Sequence, residues 1–340
     1  MGKIIAVCVS EKRGTRKKEV TYAILKEHYG IEGDAHGGNW HRQVSLLSLE
    51  KIEDFRQKGA KVDFGDFGEN LVTEGLNLSE IPVGTCFQAG EVILKLTQTG
   101  KECHSHCEIY KAMGDCIMPR EGVFAEVLKG GRIRPGDEIT PLPLSSDRPF
   151  TAAVITLSDK GYANEREDRS GPLIQEILEE QGYEIIEKLL LSDDRKPLEK
   201  HLCRLADQRQ VNLILTTGGT GFAERDVTPE ATLAVCDRMA MGIADAIRQY
   251  SLTITGRAML SRAVSGIRKK SLIVNLPGSP KAVRESLEYV LPHLNHGLGL
   301  LRGTDGECGN EREYGNEREC ENKRECGNKR KCGNERNGTE

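Results

Sequence analysis

Long apolar runs and a surplus of positive charge are both missing from this chain of 340 residues. No apolar run approaches the roughly 20 residues that a membrane-spanning helix needs, so we expect no membrane partner. With a formal net charge of −4, the chain also lacks the basic surface that a nucleic acid requires, and we expect no nucleic-acid partner. The apolar segment near the N-terminus is too short for a signal peptide, which favours a cytoplasmic protein.

Disulfide-type cysteine spacing is missing as well. The 11 cysteines are not arranged like those of a small secreted scaffold, so we expect free thiols in a reducing compartment. What the chain does have is 37% hydrophobic residues and a length that suits two domains. The composition therefore predicts a folded protein with packed cores.

Residues 1–145 are rich in glycine and contain short strand candidates separated by turn signals. One helical pattern interrupts them at Ser48–Lys58, where Leu49, Ile52 and Phe55 recur at helical spacing. Many short strands with glycine-bearing turns predict a β-barrel domain. The predicted strands are Ile4–Ser10, Val44–Leu49, Glu91–Gln98 and Glu138–Leu142.

Residues 150–303 show a different pattern, in which strands alternate with helices. This alternation predicts an α/β domain of three layers with a mostly parallel sheet, joined to the barrel by a proline-marked linker at 141–149. The predicted strands are Thr151–Leu157, Tyr183–Leu191, Val211–Leu215 and Leu272–Asn275. The predicted helices are Gly171–Gln181, Pro197–Asp207, Pro229–Arg238, Ile243–Tyr250 and Lys281–Leu291.

A hexapeptide repeat fills the last part of the chain, residues 304–340. The unit Glu307–Arg312 recurs with small changes, and none of its copies contains an aliphatic residue. Burial therefore cannot offset the entropy of ordering this segment. We expect a disordered, low-complexity tail without a dedicated function, and metal binding or oxidation of its cysteines is the alternative.

The most informative segment is the loop at Thr216–Glu230, which is rich in glycine and threonine and follows the predicted strand Val211–Leu215. It leads into a helix through Thr228, as the N-cap residue, and Pro229 at the first helical position. Free backbone N–H groups beside a helix N-terminus favour an anion such as phosphate. Asp226 can hold Mg²⁺ against that phosphate. Three glycines exceed the needs of a structural turn, so the loop predicts an enzyme that handles nucleotides or phosphates.

Two other loops are expected at the same edge of the sheet. Ser158-Asp159 follows the first strand of the α/β domain, and Pro277-Gly278-Ser279 follows the last. Ligands of parallel sheets bind at the carboxyl ends of the strands. We therefore expect the three loops to form one site.

Five ordered segments of the α/β domain resemble the motifs of the MogA/MoaB-type molybdopterin adenylyltransferases. The segments are Ser158-Asp159, Asp168–Pro172, Thr216–Glu230, Leu260–Arg262 and Asn275–Lys281. The resemblance implies that ATP and molybdopterin are substrates, that adenylylated molybdopterin and pyrophosphate are products, and that Mg²⁺ is the cofactor, ahead of molybdenum insertion. It also implies a homo-oligomer, a trimer or a hexamer, with other molybdenum-cofactor enzymes as partners.

The resemblance implies catalytic and metal-binding roles for Asp226 and Asp193. Both reactants are anions, so such a reaction depends mainly on positioning and charge neutralisation. The neighbouring Asp194 leaves the register open by one residue. Without the resemblance, we would expect both aspartates of this pair to sit at a strand–helix junction and cap the helix that begins near Pro197.

Further residues of these motifs are expected to bind the substrates. Ser170 would serve equally well as a helix N-cap, and Gly278 as an ordinary turn residue. The implied binding residues are Ser158, Asp159, Asp168, Ser170, Gly171, Thr217, Gly218, Gly219, Thr220, Gly221, Ser261, Pro277, Gly278 and Ser279.

Residues 1–145 resemble a MOSC domain, the module named for the C-terminal part of molybdenum cofactor sulfurases. The resemblance implies a β-barrel that binds a molybdenum ion or pyridoxal phosphate, with a cysteine that carries sulfur as a persulfide or touches the cofactor. The segments that carry it are Gly33–Gly38, His41–Ser45, Gly65–Leu71, Gly84 and Gly131–Asp137.

Cys103 is the candidate for that catalytic thiol. Lys101, His104 and His106 are close to it in sequence and would lower the pKa of the thiol if their charges point at it. A sulfur carrier needs such a thiolate.

A zinc site built from Cys103, Cys107, Cys116 and one histidine is the alternative for this segment. We rank it lower because the spacing is not a familiar zinc pattern, and Cys116 alone is better explained as a small buried hydrophobe. Candidates for holding an anionic pterin phosphate are Arg42, His36 and Arg120.

The sequence as a whole predicts a bifunctional protein of molybdenum-cofactor biosynthesis. The alternatives are a non-catalytic molybdopterin carrier, a molybdenum-insertion activity on the same fold, and a glycine loop that serves another nucleotide.

Overall fold

The computed structural model describes residues 1–101 and 108–304. The tail predicted at 304–340 therefore lies outside the described residues, apart from Thr304. Among the described helices, none combines the length and the apolar character needed to cross a membrane. The described residues form an N-terminal barrel followed by a C-terminal α/β domain.

Short strands make up most of the N-terminal domain. They are β1 (Gly2–Val9), β2 (Lys18–Val20), β3 (Ala23–Lys26), β4 (Gly30–Ile31), β5 (Val44–Ser48), β6 (Leu71–Glu74), β7 (Cys86–Ala89), β8 (Val92–Thr99), β9 (Val123–Lys129), β10 (Gly131–Ile133) and β11 (Glu138–Pro141). The helices are α1 (Leu49–Gln57), α2 (Glu108–Met113) and α3 (Met118–Glu121), with a 3₁₀ turn at Leu78–Glu80.

Seven of these strands close into a barrel, which confirms the predicted β-barrel. Their order is β11-β7-β8-β9-β5-β6-β1, and β1 pairs back with β11 in antiparallel register. β2 extends the sheet beside β1, while β10, β3 and β4 form a small second sheet. Fully buried side chains such as Ile4, Leu46, Phe87 and Leu94 fill the barrel, and removing such apolar surface from water is the main driving force for its closure.

The helix predicted at Ser48–Lys58 is α1. Ile52 and Phe55 are buried as the helical spacing indicated, and they pack with Leu47 and Val72 into a second apolar cluster. Seven strands of this domain, β2, β3, β4, β6, β7, β9 and β10, were not predicted. Six of those seven have only two to four residues, which is too short for a periodic signal.

The C-terminal domain alternates strands and helices. Its strands are β12 (Thr151–Leu157), β13 (Glu184–Leu191), β14 (Leu213–Thr217), β15 (Arg238–Met239), β16 (Ser265–Arg268) and β17 (Ser271–Leu276). Its helices are α4 (Asp159–Tyr162), α5 (Ser170–Glu180), α6 (Arg195–Asp207), α7 (Thr228–Val235), α8 (Met241–Ile254) and α9 (Pro280–Arg302), with a 3₁₀ turn at Gly256–Leu260.

The six strands form one sheet in the order β13-β12-β14-β17-β16-β15. The first four are parallel, and β16 and β15 are antiparallel additions at one edge. Alternate residues of a strand face opposite sides of the sheet, and Val154 and Ile155 accordingly belong to different apolar clusters. One cluster contains Leu287 of α9 and the other Leu198 of α6, which confirms three layers with a mostly parallel sheet.

Several details of this domain differ from the sequence predictions, including the unpredicted helix α4 and the longer helix α8. The helix predicted to end at Leu291 continues through Pro292 to Arg302, because Leu294 and Leu298 in its last turns are buried against the sheet. Their burial outweighs the hydrogen bond that a proline removes from a helix. The helix predicted to reach Arg238 ends at Val235, since Arg238 belongs to β15. The short edge strands β15 and β16 were not predicted.

Candidate functional site

A pocket of about 750 Å³ lies at the carboxyl ends of β12, β14 and β17. The loops that follow these strands form its walls, as expected for a parallel sheet. We call it the carboxyl-edge pocket. Ten of the predicted site residues line it, namely Ser158, Asp168, Ser170, Asp193, Thr217, Gly218, Gly219, Asp226, Gly278 and Ser279.

The glycine loop is held in a conformation that needs glycine. Gly218 and Gly219 have φ values of +95° and +63°, which lie in the left-handed region that other residues disfavour. A Cβ at Gly218 would collide with the carbonyl of Leu157, and one at Gly219 with the hydroxyl of Thr228. Only a loop without these side chains can therefore pass so close to β12 and α7.

Thr228 differs from its predicted role as an N-cap. Helix α7 begins at Thr228 itself, with Val227 as the cap residue and no side-chain capping bond. The Thr228 hydroxyl instead donates to the carbonyl oxygen of Gly218 (2.9 Å), and its backbone N–H donates to that of Gly219 (3.1 Å). Thr228 thus ties the glycine loop to the start of the helix.

Asp193 and Asp159 bind each other's backbone across the pocket edge. The amide of Asp159 donates to Asp193 Oδ2 and the amide of Asp193 donates to Asp159 Oδ1, both at 2.9 Å. Burial, with the negative charges of Asp159 and Asp226, raises the pKa of Asp193. The structure also separates Asp193 from Asp194, since Asp193 lines the pocket while Asp194 precedes α6 as its N-cap residue, without a side-chain capping bond.

Asp226 lies at the other side of the glycine loop. Its Oδ2 accepts a hydrogen bond from the backbone of Ala223 (2.8 Å). The negative charge of Asp226 acts on the carboxyl group of Asp193, so the two carboxylates share one region of the pocket. Carboxylates in this arrangement suit a hard divalent cation such as Mg²⁺, which commonly takes one or two carboxylates and completes its shell with phosphate oxygens and water. Among the described residues, no three His, Cys, Asp or Glu side chains form a ready-made metal cluster.

Arg169 is the N-cap residue of helix α5, and the side chain that bonds the first turn of the helix is that of Asp168 rather than Ser170. Asp168 Oδ1 accepts from the backbone N–H groups of Ser170 (3.1 Å) and Gly171 (2.9 Å). The Ser170 hydroxyl is thereby free to donate to the carbonyl oxygen of Gly278 (2.9 Å). This bond joins two of the three converging loops.

The remaining predicted residues support the pocket without lining it. Pro277 accepts a hydrogen bond from the hydroxyl of Thr217 (2.6 Å). Thr220 and Gly221 accept bonds from Arg262, while the Ser261 carbonyl accepts from Arg248. Ser261 is not among the residues that line the pocket.

Several residues of the site were not predicted. Arg166 lines the pocket and donates to the Ser158 hydroxyl (3.1 Å), and Arg225 binds the Asp159 carboxylate through Nε (3.0 Å) and Nη2 (2.7 Å). Thr156 contributes a buried hydroxyl that has no hydrogen-bond partner among the described residues. The position of Arg225 beside Asp226 in sequence was the one available signal, and Arg166 and Thr156 belong to no recognised motif.

In the barrel, the candidate thiol Cys103 lies outside the described residues, as does Cys107. Cys116 is 5% exposed and packs in an apolar cluster, in line with its interpretation as a buried hydrophobe.

The three barrel residues predicted to hold an anionic phosphate each have a contact within the barrel. His36 Nδ1 lies 3.2 Å from Asp34 Oδ1. Arg120 forms two hydrogen bonds with Asp115, at 2.9 and 2.8 Å, and Arg42 stacks over the ring of Trp40 at 4.9 Å.

An α/β domain with a glycine loop and carboxylates at the carboxyl ends of its strands defines a class of proteins that bind phosphorylated ligands. Residues 153–296 match the sequence profile described as "Probable molybdopterin binding domain", and residues 32–140 match that of the MOSC domain.

Two curated relatives narrow the class of protein to a family. The molybdopterin adenylyltransferase of Helicobacter pylori strain J99 is 44% identical over 157 residues, which cover 44% of this chain and 86% of that protein. The molybdopterin adenylyltransferase of Escherichia coli K12 is 44% identical over 140 residues, covering 40% of this chain and 71% of that one. A solved structure of the molybdopterin biosynthesis enzyme MoaB from Thermus thermophilus aligns with 46% identity and a TM-score of 0.43, covering 45% of this chain and 97% of the other. The chain belongs to the molybdopterin adenylyltransferase family and carries a MOSC domain before the family's domain.

Proposed function

We propose that the carboxyl-edge pocket transfers the adenylyl group of ATP to molybdopterin and releases pyrophosphate, with Mg²⁺ as cofactor. The observation that carries this proposal is the meeting of the Gly218–Gly219 loop with Asp193 and Asp226 in one pocket of about 750 Å³. That volume suits ligands of nucleotide size. Membership of the molybdopterin adenylyltransferase family supports the same conclusion.

Binding of two anionic substrates is the first task of such a site. Backbone N–H groups of the glycine loop favour phosphate oxygens because they carry partial positive charge without a side chain in the way. Arg166 at the pocket wall and Arg225 at its edge supply full positive charges. Arg225 would have to exchange Asp159 for a phosphate oxygen, and both side chains are well exposed, at 61% and 45%, so this exchange needs no repacking of the core.

In the proposed reaction, an oxygen of the pterin phosphate forms a bond to the α-phosphorus of ATP. The bond between the α-phosphorus and the bridging oxygen breaks, and pyrophosphate leaves with the electron pair. When bound, Mg²⁺ would neutralise charge on the phosphates, and Asp226 and Asp193 would hold it. The chain's own residues align the two phosphates and exclude other orientations, which is the main source of rate acceleration in phosphoryl-type transfers.

For the barrel, we propose a role on the same cofactor, either sulfur carriage on Cys103 or cofactor binding. Support comes from the match to the MOSC profile at residues 32–140. Mass spectrometry of the intact protein after incubation with a persulfide donor tests the first role. An added sulfur on wild type that is missing from Cys103→Ser supports it, and equal modification of both proteins contradicts it.

A pyrophosphate-release assay separates the proposed enzyme from a non-catalytic molybdopterin carrier. Purified chain is mixed with ATP and Mg²⁺, with and without molybdopterin. We expect pyrophosphate release that depends on molybdopterin and stops when Mg²⁺ is chelated. Pterin binding without release would favour the carrier, and release without molybdopterin would indicate another acceptor. The two carboxylates that line the pocket favour the enzyme, because a carrier of an anionic pterin gains nothing from placing negative charge beside it.

A further inference from the structure

A second and larger cavity, of about 1120 Å³, separates the barrel from the α/β domain. We call it the interdomain cleft. Its walls include His41 and Lys95 of the barrel, and Thr151, Glu184 and Arg209 of the α/β domain. Thr151 and Glu184 are the first residues of β12 and β13, so the cleft lies at the amino ends of the strands. The carboxyl-edge pocket lies at their opposite ends, and the proposed adenylylation makes no use of the cleft.

Arg209 is the unusual residue of this cleft. The side chain is largely buried, with 7% of the residue exposed, and its Nε and Nη1 have no hydrogen-bond partner among the described residues. Burial lowers the pKa of this guanidinium to about 10, which leaves it charged at neutral pH. A buried charge without a partner is strongly unfavourable, and it is therefore rarely found without a ligand or another compensating group.

Glu187, the carboxylate that acts most strongly on Arg209, is already engaged. Glu187 accepts two hydrogen bonds from Arg204, at 2.9 and 2.6 Å. It therefore attracts Arg209 only through space, while the positive charge of Arg204 opposes Arg209. Glu184, on the cleft wall, is bound to Lys95 at 2.8 Å.

The barrel adds a second incompletely bonded guanidinium, Arg42, which follows the wall residue His41 but does not itself line the cleft. Arg42 is half-buried, its Nε has no hydrogen-bond partner among the described residues, and its charge acts on Arg209. Burial and the charge of Arg209 lower the pKa of His41 to about 4, so His41 is neutral at physiological pH. Glu126 also lines the cleft and attracts Arg209. Together with Glu184 and Glu187 it gives three carboxylates, against the four positive groups of Arg42, Lys95, Arg204 and Arg209, so positive charge is in excess in this part of the interface.

The neighbours of Arg209 fix it between the domains. The carbonyl oxygen of Gln208 accepts a hydrogen bond from the backbone of Thr99 (2.9 Å), and the side chain of Gln210 accepts one from the backbone of Val83 (3.1 Å). Both partners belong to the barrel. Arg209 is therefore held in place from both sides before any ligand arrives.

We propose that the interdomain cleft binds a small molecule through an oxyanion group, phosphate or carboxylate, that pairs with Arg209 while Arg42 contributes charge from the barrel. Guanidinium groups bind both kinds of oxyanion through charge-assisted hydrogen bonds. The ligand bridges the two domains, because its charged group is balanced by arginines from both.

Calorimetric titration of the full chain with inorganic phosphate tests the proposal, with malonate as the carboxylate arm and chloride at equal ionic strength as the blank. Wild type should bind phosphate or malonate at a site that Arg209→Met weakens by at least about tenfold, the effect of losing a charged hydrogen-bond donor. Phosphate binding that Arg209→Met weakens identifies a phosphate ligand, and malonate binding that it weakens identifies a carboxylate ligand. Phosphate bound at the carboxyl-edge pocket is unaffected by this substitution.

Arg284→Met is the matched control. It removes a guanidinium of the same domain that pairs with Glu288 on α9, and because neither residue lines the cleft, it should leave oxyanion binding unchanged. In chloride alone, Arg209→Met should melt no lower than wild type, because it removes an unpaired buried charge. Arg42→Met provides a second variant on the barrel side and should weaken binding several-fold. Unchanged oxyanion affinity in both Arg209→Met and Arg42→Met, or a lower melting temperature of Arg209→Met in chloride, would overturn the proposal.

Discussion

The barrel and the α/β domain differ in how their buried or partly buried charged side chains are neutralised. In the barrel, Lys17 Nζ lies 2.6 Å from Asp34 Oδ2, and both side chains are almost completely buried, at 1% and 0%. In the α/β domain, Asp193 and Asp226 face an open pocket instead. Charges that neutralise each other inside a core stabilise one structure, whereas charges that face a cavity are retained for a ligand.

The pKa directions support this contrast. Burial alone would raise the pKa of Asp34, but hydrogen bonds from His36 and Lys17 outweigh it and lower that pKa well below its ordinary value. The pKa of Asp193 is raised, first by burial and then by neighbouring negative charges. The protein itself thus neutralises the charge of Asp34, whereas the charge of Asp193 would be neutralised by a bound cation. We therefore expect substitutions of the pocket carboxylates to change activity and substitutions of the buried Lys17–Asp34 pair to change stability.

Asp226→Asn should show the largest effect on activity. We expect adenylylation to fall about 1000-fold, which corresponds to about 4 kcal/mol, while molybdopterin binding and thermal stability stay close to wild type. The reason is that the amide keeps the shape of the side chain but loses the charge that holds Mg²⁺. Glu224→Gln, on the same loop and exposed, is the control and should retain activity. Equal activity of Asp226→Asn and wild type rules out the proposed metal role.

Lys17→Met should show the largest effect on stability. It leaves the Asp34 carboxylate buried without its ammonium partner, which we expect to lower the free energy of unfolding by about 3 kcal/mol. Urea denaturation measures this loss, and kcat for adenylylation should be unchanged in the folded fraction. The double variant Lys17→Met/Asp34→Asn should recover part of the stability. A Lys17→Met protein that is as stable as wild type but has a reduced kcat would contradict the conclusion that this buried pair serves stability rather than activity.

Glu69→Gln should stabilise the barrel in a pH-dependent way. Burial raises the pKa of Glu69 from 4.5 to about 7, so the folded protein holds this proton more tightly than the unfolded chain does. Its contribution to stability is fully present below about pH 4.5 and is lost as the pH rises through about 7. Glutamine stays neutral, and at pH 8 the variant should exceed wild type by about 2–3 kcal/mol. Urea midpoints at pH 4.5 and 8 check this, and a pH-independent difference between the two proteins contradicts it.

Gly219→Ala should show a smaller effect on stability, of about 1–2 kcal/mol, because its φ of +63° disfavours a side chain. We also expect reduced adenylylation, since the collision with Thr228 displaces the loop. Gly242→Ala is the matched control. A Cβ there meets nothing within 4 Å, and alanine is the better helix former, so this variant should be at least as stable as wild type. Thermal melts and initial rates compare the two variants. Equal melting temperatures and equal rates of Gly219→Ala and Gly242→Ala would contradict a special role of the glycine loop.

Sequence patterns identified the four parallel strands and five of the helices of the α/β domain, as well as the pocket loops, since strand–helix alternation and glycine loops are local signals. They could not distinguish Asp193 from Asp194, because the side that each aspartate faces depends on where α6 begins. The continuation of α9 past Pro292 depends on tertiary burial of Leu294 and Leu298, which local propensity does not contain. Arg209 gave no signal at all, because its burial arises only when the two domains meet.

The roles of the individual site residues and the domain limits at 145, 150 and 303 stay predictions, as do the cytoplasmic location, the oligomeric state and the functions of Cys103 and of the tail at 304–340. For Cys103 and for residues 305–340, the reason is that they lie outside the described residues. The oligomeric state depends on contacts between chains, and a single chain contains none of them.

Mass spectrometry of the pterin after incubation of the full chain with ATP, Mg²⁺ and molybdopterin tests the proposed adenylyl transfer without an intermediate step. We expect molybdopterin that has gained one adenylyl group through its phosphate, with one pyrophosphate released for each adenylyl group transferred. Unmodified molybdopterin recovered from a folded, pterin-binding protein would contradict it.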